Sequence, residues 1–432
     1  MPTVDIDPDE LRNLTGRDDT DDEQLKEDLF GLGLEFEGRT EDGAFELEFA
    51  PDRLDRLSVE GVARSLGYQY GDSRGVHVPS TNSAEWTIEV DDSVPEERPY
   101  VTGAIIRDVN LDEDSLDSLI QLQEKLHATM GRKRAKGAIG IHDLTMVKGT
   151  APTEGNPTID YVGVEPDGDT FVPLDSNAEM TPADVLEEHP TGETYADLVS
   201  EYERYPAIYD DLGLFSFPPV INGQRTEVTT DSRDLFVEMT GTDQWTIDKM
   251  LNIVCYALAA RGATIEEVTV NYPDHELVRP DLSTKTKTVA HSRIETILGI
   301  DLDPEDVIDL AERSGLDATK HTDGETDENE STITPLADRD GLEERDVSDG
   351  SSETQEDVAE PTDTLSTTSP SHRTASTSST HWTSSTTSGA PTASTNSSRA
   401  IPTWEPSVAA TSAPDSSDPC ASNSSASASR TC

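Results

Sequence analysis

The segment FAPDRLDRLSVEGVAR, residues 49–64, contains three local signals in immediate succession. The segment starts at Phe49, the last residue of a stretch, residues 45–49, in which apolar and acidic side chains alternate. This alternation predicts a strand with one face in water. A proline turn follows, and Ser58 is placed to cap a helix whose apolar residues recur on one side as far as Gly67. A strand, a turn and a capped helix in this order predict an α/β domain, which we place at residues 1–85.

Outward from this unit, hydrophobic periodicity predicts helices and strands as far as residue 318. Helices are expected at residues 112–130, 182–189, 193–204, 243–260, 291–299 and 304–314. Strands are expected at residues 86–90, 101–109, 138–141, 226–230, 235–239 and 265–272. This succession predicts an α+β multidomain chain.

The chain is strongly acidic, with 88 Asp and Glu residues against 32 Lys and Arg and a formal charge of −56. One interpretation is disorder, because high charge with few apolar residues cannot offset the entropy of folding. The other is adaptation to a salty cytoplasm, where a Debye length of about 3 Å in molar salt screens self-repulsion. We favour the second, because the acidic residues before residue 318 alternate with clean amphipathic patterns. Such a surface repels nucleic acid, so RNA binding would require a local basic patch or high salt.

Cysteine usage and the absence of apolar runs limit the class of protein. Cys255, Cys420 and Cys432 are widely spaced and form no C-x-x-C pair, which argues against a zinc site or a disulfide framework. Cys255 lies in an apolar run and is expected to be a core thiol. We find neither a secretion signal nor a run of about 18 apolar residues, so we expect a cytoplasmic protein without a membrane partner.

The hydrophobic periodicity that predicts helices and strands ends after residue 318. Residues 319–360 are polar and acidic without periodicity, and half of residues 361–432 are Ser or Thr. We predict that residues 319–432 form a disordered tail, since such a composition cannot bury a core. The abrupt loss of acidic residues suggests that this part of the gene is read out of frame, and sequencing for a continuation in another register would test this.

A second motif combines QEKLH, residues 123–127 in QLQEKLH, with a basic cluster and GIHD at residues 140–143. Taken alone, His127 is more typical of a structural histidine, and His142-Asp143 resembles a phosphohydrolase metal pair that lacks its further ligands. We therefore predict no metal site. The basic cluster is either a solvated loop or a phosphate-binding site for RNA, and it contains Arg132, Lys133, Arg134 and Lys136.

The third motif consists of LFSFPPVING, residues 214–223, and FVEMTGTD, residues 236–243. Taken alone, its Pro and Gly residues are typical of turns, and Thr242-Asp243 is typical of a helix cap. Together the three motifs resemble signatures of the phenylalanyl-tRNA synthetase β subunit of archaeal and eukaryotic-cytosolic type, over about residues 1–318. The resemblance implies a mixed-sheet editing domain with its lead-in at residues 86–272, and the start of a small helical, putative-DNA-binding-like domain at residues 273–318.

The resemblance also implies a chemistry for the third motif, namely hydrolysis of tyrosine wrongly attached to the phenylalanine tRNA. A phenylalanine pocket cannot strongly reject an added hydroxyl, so a second site must recognise that hydroxyl. We expect Glu238 to accept the phenol hydrogen bond, and Asn222 and Thr240 to hold the ester or a water. The editing pocket would further contain Ser216, Pro218, Pro219, Gly223, Gly241 and Thr242, the glycines leaving room for the terminal adenosine. Hydrolysis by a positioned water is expected, without a covalent intermediate.

The family resemblance implies an α2β2 tetramer that joins phenylalanine to its tRNA with ATP and Mg²⁺. ATP-binding motifs of class II synthetases are missing here, so aminoacylation is expected in the α subunit. The acidic magnesium ligands of the family are also not recognisable. The expected partners are the α subunit and tRNA, not DNA. Two alternatives stay open: an inactive truncated remnant that binds RNA or a partner, and a misread gene product that does not accumulate.

Overall fold

The computed structural model describes residues 3–48, 53–150, 155–321 and 364–370. The first part is an antiparallel three-stranded sheet with three helices. Its strands are β1 (Thr3–Ile6), β2 (Glu35–Arg39) and β3 (Phe45–Glu48), and its helices are α1 (Pro8–Thr15), α2 (Asp22–Gly31) and α3 (Val59–Tyr70). The strand order is β1–β3–β2. Helices and strands are therefore mixed in this part, as predicted, while residues 49–52 of the first motif lie outside the described residues.

Helix α3 begins as the sequence predicts and ends later. The Ser58 hydroxyl accepts a hydrogen bond from the Gly61 amide at 3.1 Å, which satisfies one of the free amides of the first turn. The predicted end at Gly67 is wrong, since the helix continues to Tyr70 and closes at Gly71 in the left-handed conformation. Three more residues thus extend the face that packs against the rest of the protein.

Ten strands between residues 81 and 279 form one large sheet. They are β4 (Thr81–Val90), β5 (Tyr100–Arg107), β6 (Gly137–Asp143), β7 (Thr158–Val164), β8 (Tyr205–Asp210), β9 (Gly213–Phe217), β10 (Ile221–Asn222), β11 (Leu235–Gly241), β12 (Thr264–Asn271) and β13 (Glu276–Arg279). The order is β10–β9–β8–β7–β4–β12–β5–β11–β6, and β13 also pairs with β12. Strand β4 is parallel to β7 and β12, so the sheet is mixed. Strand β4 crosses the domain boundary that the sequence predicted at residue 85, and β13 lies beyond the boundary predicted at residue 272.

Two long helices cover one face of this sheet, α4 (Glu113–Ala128) and α7 (Gln244–Ala260). Helix α7 is buried from Thr246 to Leu258, and Cys255 is a buried free thiol whose pKa is raised by burial. One continuous apolar cluster joins α4, α7 and the sheet to the first three helices, through residues such as Leu11, Leu25, Leu66, Leu119 and Val254. The N-terminal part and the large sheet thus share a core. Within the described ranges, no helix has both the length and the apolar content needed to cross a bilayer.

The region between β7 and β11 differs from the predicted elements. The acidic helices are shorter than expected, α5 (Pro182–Glu188) and α6 (Pro190–Tyr195), and a 3-10 turn at Ala196–Leu198 follows them. The strand predicted at residues 226–230 does not form: a 3-10 turn at Gln224–Thr226 ends where it would begin, and residues 227–230 belong to no helix or strand. Strand β11 is already paired on both edges, with β5 and β6, so it offers no edge to a preceding strand.

The last described elements follow β13. They are β14 (Thr284–Ala290), α8 (His291–Leu298), α9 (Pro304–Glu312), β15 (Asp317–His321) and β16 (Thr364–Pro370). The three strands form an antiparallel sheet in the order β14–β16–β15. Residues 364–370 are therefore a strand where the sequence predicted a disordered tail; their Thr-rich composition suits a strand once two neighbours supply backbone partners. The rest of that predicted tail lies outside the described residues.

Candidate functional site

A cavity of about 250 Å³ lies where the β9–β10 turn meets β11 and helix α4. Fourteen residues from these elements and their neighbours line it: Gln123, Glu124, Arg134, Ala138, Ile139, Leu174, Thr191, Tyr195, Pro218, Pro219, Val220, Ile221, Asn222 and Glu238. Strands β9 and β11 are not neighbours in the strand order, so the curvature of the sheet brings them together. The cavity thus unites both halves of the third motif.

Asn222 and Glu238 line this cavity, and the buried Ser216 behind them lies within hydrogen-bond distance of both. Ser216 and Asn222 are directly paired between β9 and β10, so their side chains lie on the same face. The Ser216 hydroxyl lies 3.1 Å from Asn222 Oδ1 and 3.2 Å from Glu238 Oε1. Since Asn222 Oδ1 accepts from Ser216, the Asn222 Nδ2 group remains available as a donor towards a ligand.

Glu238 is an unusual carboxyl group because it is almost completely buried. Its exposed fraction is 1%, and its Oε2 atom has no hydrogen-bond partner among the described residues. Ser216 carries a single hydroxyl proton, so it donates to either Asn222 or Glu238 and cannot satisfy both fully. A buried polar atom without a partner costs free energy. A ligand donor that reached Glu238 would remove this cost.

Thr240 lies two residues beyond Glu238 on β11 and does not line the cavity. Its Oγ1 atom accepts from the Arg98 guanidinium at 3.3 Å, and its carbonyl accepts from the same nitrogen at 2.8 Å. Arg98 has 0% exposure, and it also donates to the carbonyls of Arg134 at 2.6 Å and Ala135 at 3.2 Å. Arg98 therefore ties the end of β11 to the basic loop, a role that the sequence did not suggest.

The two glycines of the motif serve packing in the structure. A Cβ atom on Gly241 would lie 2.6 Å from both Ile247 Cγ2 and the Lys136 carbonyl, so β11 can approach α7 only without a side chain there. The Gly223 amide donates to the Phe215 carbonyl at 2.7 Å, and the Thr242 amide donates to the Lys136 carbonyl at 3.1 Å. None of these three residues lines the cavity.

Replacing Gly241 tests this packing role. Gly241→Ala is expected to lower the free energy of unfolding by about 1–3 kcal/mol, because the added methyl overpacks the contact with Ile247. Gly67→Ala is the matched control: Gly67 is helical, with nothing within 4 Å of an added Cβ, so it should be neutral or stabilising by about 0.5–1 kcal/mol. Urea unfolding of both variants in molar KCl measures the difference, and equal stabilities would contradict the packing role.

The basic cluster forms a tight left-handed turn between α4 and β6. Arg132, Lys133 and Arg134 have φ angles of 49°, 54° and 68°, a conformation that costs energy in each non-glycine residue. Arg134 points to the cavity, donating to the Val220 carbonyl at 2.9 Å and to Glu124 Oε1 at 3.1 Å, and Lys136 pairs with Asp243. Only Arg132 and Lys133 of the cluster are exposed without a side-chain bond in the described chain.

Helix α4 supplies two cavity residues, Gln123 and Glu124, which belong to the second motif but were not predicted as site residues. His127 Nε2 accepts from the Ile139 amide at 2.9 Å, so its Nδ1 can donate to Glu124, 3.3 Å away. This contact and the neighbouring Arg134 lower the pKa of the Glu124 carboxyl to about 2. Burial lowers the pKa of His127. The Arg134 guanidinium also lies 4.2 Å from the centre of the Tyr195 ring, which closes the opposite wall.

His142 and Asp143 point to opposite faces of β6, as successive strand residues do. His142 Nδ1 contacts Thr226 Oγ1 at 2.8 Å inside the protein. Asp143 accepts from Ser232 at 2.6 Å and caps a turn through the Thr145 amide at 2.8 Å. The pair is therefore divided between two separate hydrogen-bond networks.

Comparisons with known proteins identify relatives for most of the chain. No family model matches. The chain is 71% identical over 329 residues to the phenylalanine–tRNA ligase beta subunit of Halorubrum lacusprofundi, covering 74% of this chain and 57% of that protein. For the Halobacterium salinarum protein of the same name, the values are 70% identity over 327 residues, 75% and 58%. The chain spans somewhat more than half the length of these curated relatives.

A solved structure matches the fold as well. It is the N-terminal fragment of the phenylalanyl-tRNA synthetase beta subunit from Pyrococcus horikoshii, with a TM-score of 0.71 and 29% identity. The match covers 87% of this chain and 95% of that fragment. A more distant sequence relative, the phenylalanine–tRNA ligase beta subunit of Methanocella arvoryzae, is 43% identical over 316 residues, 73% of this chain and 56% of that protein.

Proposed function

The matched three-quarters of this chain belongs to the phenylalanine–tRNA ligase beta-subunit family, and from this premise we propose that its cavity hydrolyses tyrosine esters formed on the phenylalanine tRNA. The observation that carries the proposal is the meeting of Asn222 and Glu238 through Ser216 in one cavity. Glu238 offers a buried acceptor for a phenol hydroxyl, and Asn222 offers a donor for the ester. These are the two groups that a site for tyrosyl-adenosine needs.

Water is the nucleophile that this arrangement favours. Ser216 is completely buried, is held by two acceptors and does not line the cavity. The only cysteine in the described ranges, Cys255, is buried in α7. We therefore propose that Asn222 Nδ2 stabilises the negative charge that develops on the carbonyl oxygen of the ester, while a water attacks the carbonyl carbon. The bond between the carbonyl carbon and the tRNA oxygen breaks, tyrosine leaves as the acid that contains the water's oxygen, and the released tRNA oxygen takes up a proton from that water to become a hydroxyl.

Deacylation of tyrosyl-tRNA tests the function directly. The full chain is incubated in molar KCl with phenylalanine tRNA that carries labelled tyrosine, and release of tyrosine is followed against a protein-free control. A rate clearly above the control is expected. A correctly folded chain that releases tyrosine no faster than buffer would overturn the proposal.

We further propose that Arg132 and Lys133 contact tRNA phosphates beside the cavity, because they are the exposed members of a preformed basic turn. The double variant Arg132→Ala/Lys133→Ala should weaken tRNA binding and reduce the slope of log Kd against log salt by about 2. Filter binding at several KCl concentrations measures the slope. Lys148→Ala/Arg233→Ala removes the same charges from exposed positions that do not line the cavity; an equal loss there would show that only net charge matters.

The complete enzyme, as we propose it, is a cytoplasmic α2β2 assembly in which a partner α subunit aminoacylates tRNA with ATP and Mg²⁺. Among the described residues, the carboxylates close enough to share a cation are those of Glu35, Glu37 and Glu48. They lie on the N-terminal sheet, are not buried, and do not line the cavity, so they do not fit a catalytic role in the cavity. Co-purification of the chain with the α subunit tests the assembly; failure to co-purify in molar KCl would contradict it.

A further inference from the structure

A second titratable group lies behind Glu238, and the proposed chemistry does not use it. His142 is completely buried, and its Nε2 atom is 3.8 Å from Glu238 Oε1. Neither His142 Nε2 nor Glu238 Oε2 has a hydrogen-bond partner among the described residues. Two buried polar groups with unused hydrogen-bonding capacity thus face each other just beneath the cavity floor.

The surrounding strands hold the two groups in this arrangement. In the β6–β11 pairing, Glu238 lies opposite Gly140 and Phe236 lies opposite His142, so the carboxyl and the imidazole share one face of the sheet. A Cβ atom on Gly140 would lie 2.3 Å from Glu238 Oε1 and 2.8 Å from His142 Nε2. The glycine therefore leaves the space in which the two side chains meet.

The other side of the imidazole is fixed by its neighbours. Nδ1 contacts Thr226 Oγ1 at 2.8 Å, and the ring packs edge-on against Phe215 at 4.9 Å between centroids. Thr226 and the Phe215 ring restrict the orientation of the His142 imidazole, and its Nε2 atom therefore points towards Glu238. This geometry resembles the way in which a second polar group orients a functional one in many sites.

We propose that His142 is a positioning residue that sets the tyrosine selectivity of the cavity. The Nε2–H group donates a hydrogen bond to Glu238 Oε1 from beneath the cavity floor. This bond orients Glu238 Oε2 towards the phenol hydroxyl of a bound tyrosyl ester. The contact shortens from 3.8 Å when the substrate donates to Oε2, since both buried groups are then satisfied. This inference rests on the proposed editing function and extends it from the group that touches the substrate to the group that orients it.

Two variants of His142 separate orientation from mere packing. His142→Asn keeps an amide near the Nδ1 position, where it can bond Thr226, and removes the group at Nε2. His142→Gln places its amide near the Nε2 position and can restore the bond to Glu238. Thermal unfolding of both variants in molar KCl identifies any loss of folded protein.

The measurement uses two amide-linked, non-hydrolysable aminoacyl-adenosines, one tyrosyl and one phenylalanyl, which differ only in the phenol hydroxyl. Calorimetry on the full chain gives a Kd for each, and the wild type should prefer the tyrosyl compound. His142→Asn should reduce this preference by about 10- to 100-fold, which is the change in affinity expected from the loss of one hydrogen bond to a charged group. His142→Gln should keep most of the preference, and binding of the phenylalanyl compound should change little in both.

The outcomes also distinguish this inference from the function on which it rests. An unchanged preference in His142→Asn, or equal weakening of both compounds in both variants, would overturn the role of His142. Hydrolysis of tyrosyl-tRNA by the wild type would still support the proposed function in that case. A wild type that binds neither compound would overturn both proposals together.

Discussion

Asn222→Ala is expected to reduce kcat for tyrosyl-tRNA hydrolysis by about 100- to 1000-fold, the usual cost of losing one donor to a developing oxyanion. Asn222 is the group at the cavity floor whose amide is free to donate, because its carbonyl oxygen is already used by Ser216 at 3.1 Å. An alanine removes that donor and leaves Ser216 free to donate to Glu238. Single-turnover deacylation in molar KCl measures the change.

Two companion variants make the result specific. Glu238→Ala should mainly reduce the preference for tyrosyl over phenylalanyl esters, because Glu238 recognises the hydroxyl and does not act on the ester. Asn110→Ala, at an exposed position that does not line the cavity, should hydrolyse at the wild-type rate. Equal rates for wild type, Asn222→Ala and Glu238→Ala, all above background, would rule out this cavity as the site.

Arg98→Met is expected to lower the free energy of unfolding by about 3 kcal/mol or more. The side chain is completely buried and donates to the carbonyls of Thr240, Arg134 and Ala135. A methionine of similar length fills the space but leaves these acceptors unsatisfied, at about 1–3 kcal/mol each. The basic turn should also loosen, since its left-handed residues are held against their own conformational preference.

Arg233→Met is the matched control for this prediction. Arg233 is exposed and also donates to two carbonyls, those of Thr230 and Ser232, both at 2.8 Å. Water can replace an exposed donor, so the free energy of unfolding should change by no more than about 0.5 kcal/mol. Urea unfolding followed by tryptophan fluorescence compares the two variants. Similar small losses of unfolding free energy in both would show that the buried hydrogen bonds of Arg98 contribute little to stability.

Much of the local structure was predictable because its signals are short in sequence. Ser58 caps α3 as expected, and α4 and α7 follow the predicted apolar stripes to within a few residues. The strand predicted at residues 226–230 failed for a different reason. Its composition suits a strand, but whether it pairs depends on free edges, and β11 has none left. That information lies in strands distant in the sequence.

The residues of the candidate site were likewise predictable only in part. Asn222 and Glu238 were singled out by their motif, and the structure places both on one cavity. Gln123, Glu124 and Arg98 were not predicted as site residues, although the first two belong to the second motif, because their contacts depend on how the large sheet curves and not on their local sequence. Gly241 was assigned to the editing pocket because its motif resembles a family signature and a glycine leaves room for adenosine; in the structure it does not line the cavity and lies close to Ile247.

The apolar cluster that joins the first three helices to α4, α7 and the large sheet limits how the chain can be divided. A fragment that began at residue 86 would expose the outer faces of α4 and α7 to water, and aggregation would be its expected fate. The predicted boundary at residue 85 thus falls inside β4, and the shared core argues against an independent folding unit on either side of it. Excised material for crystallography or assays should keep the first 80 residues, even though the cavity uses none of them.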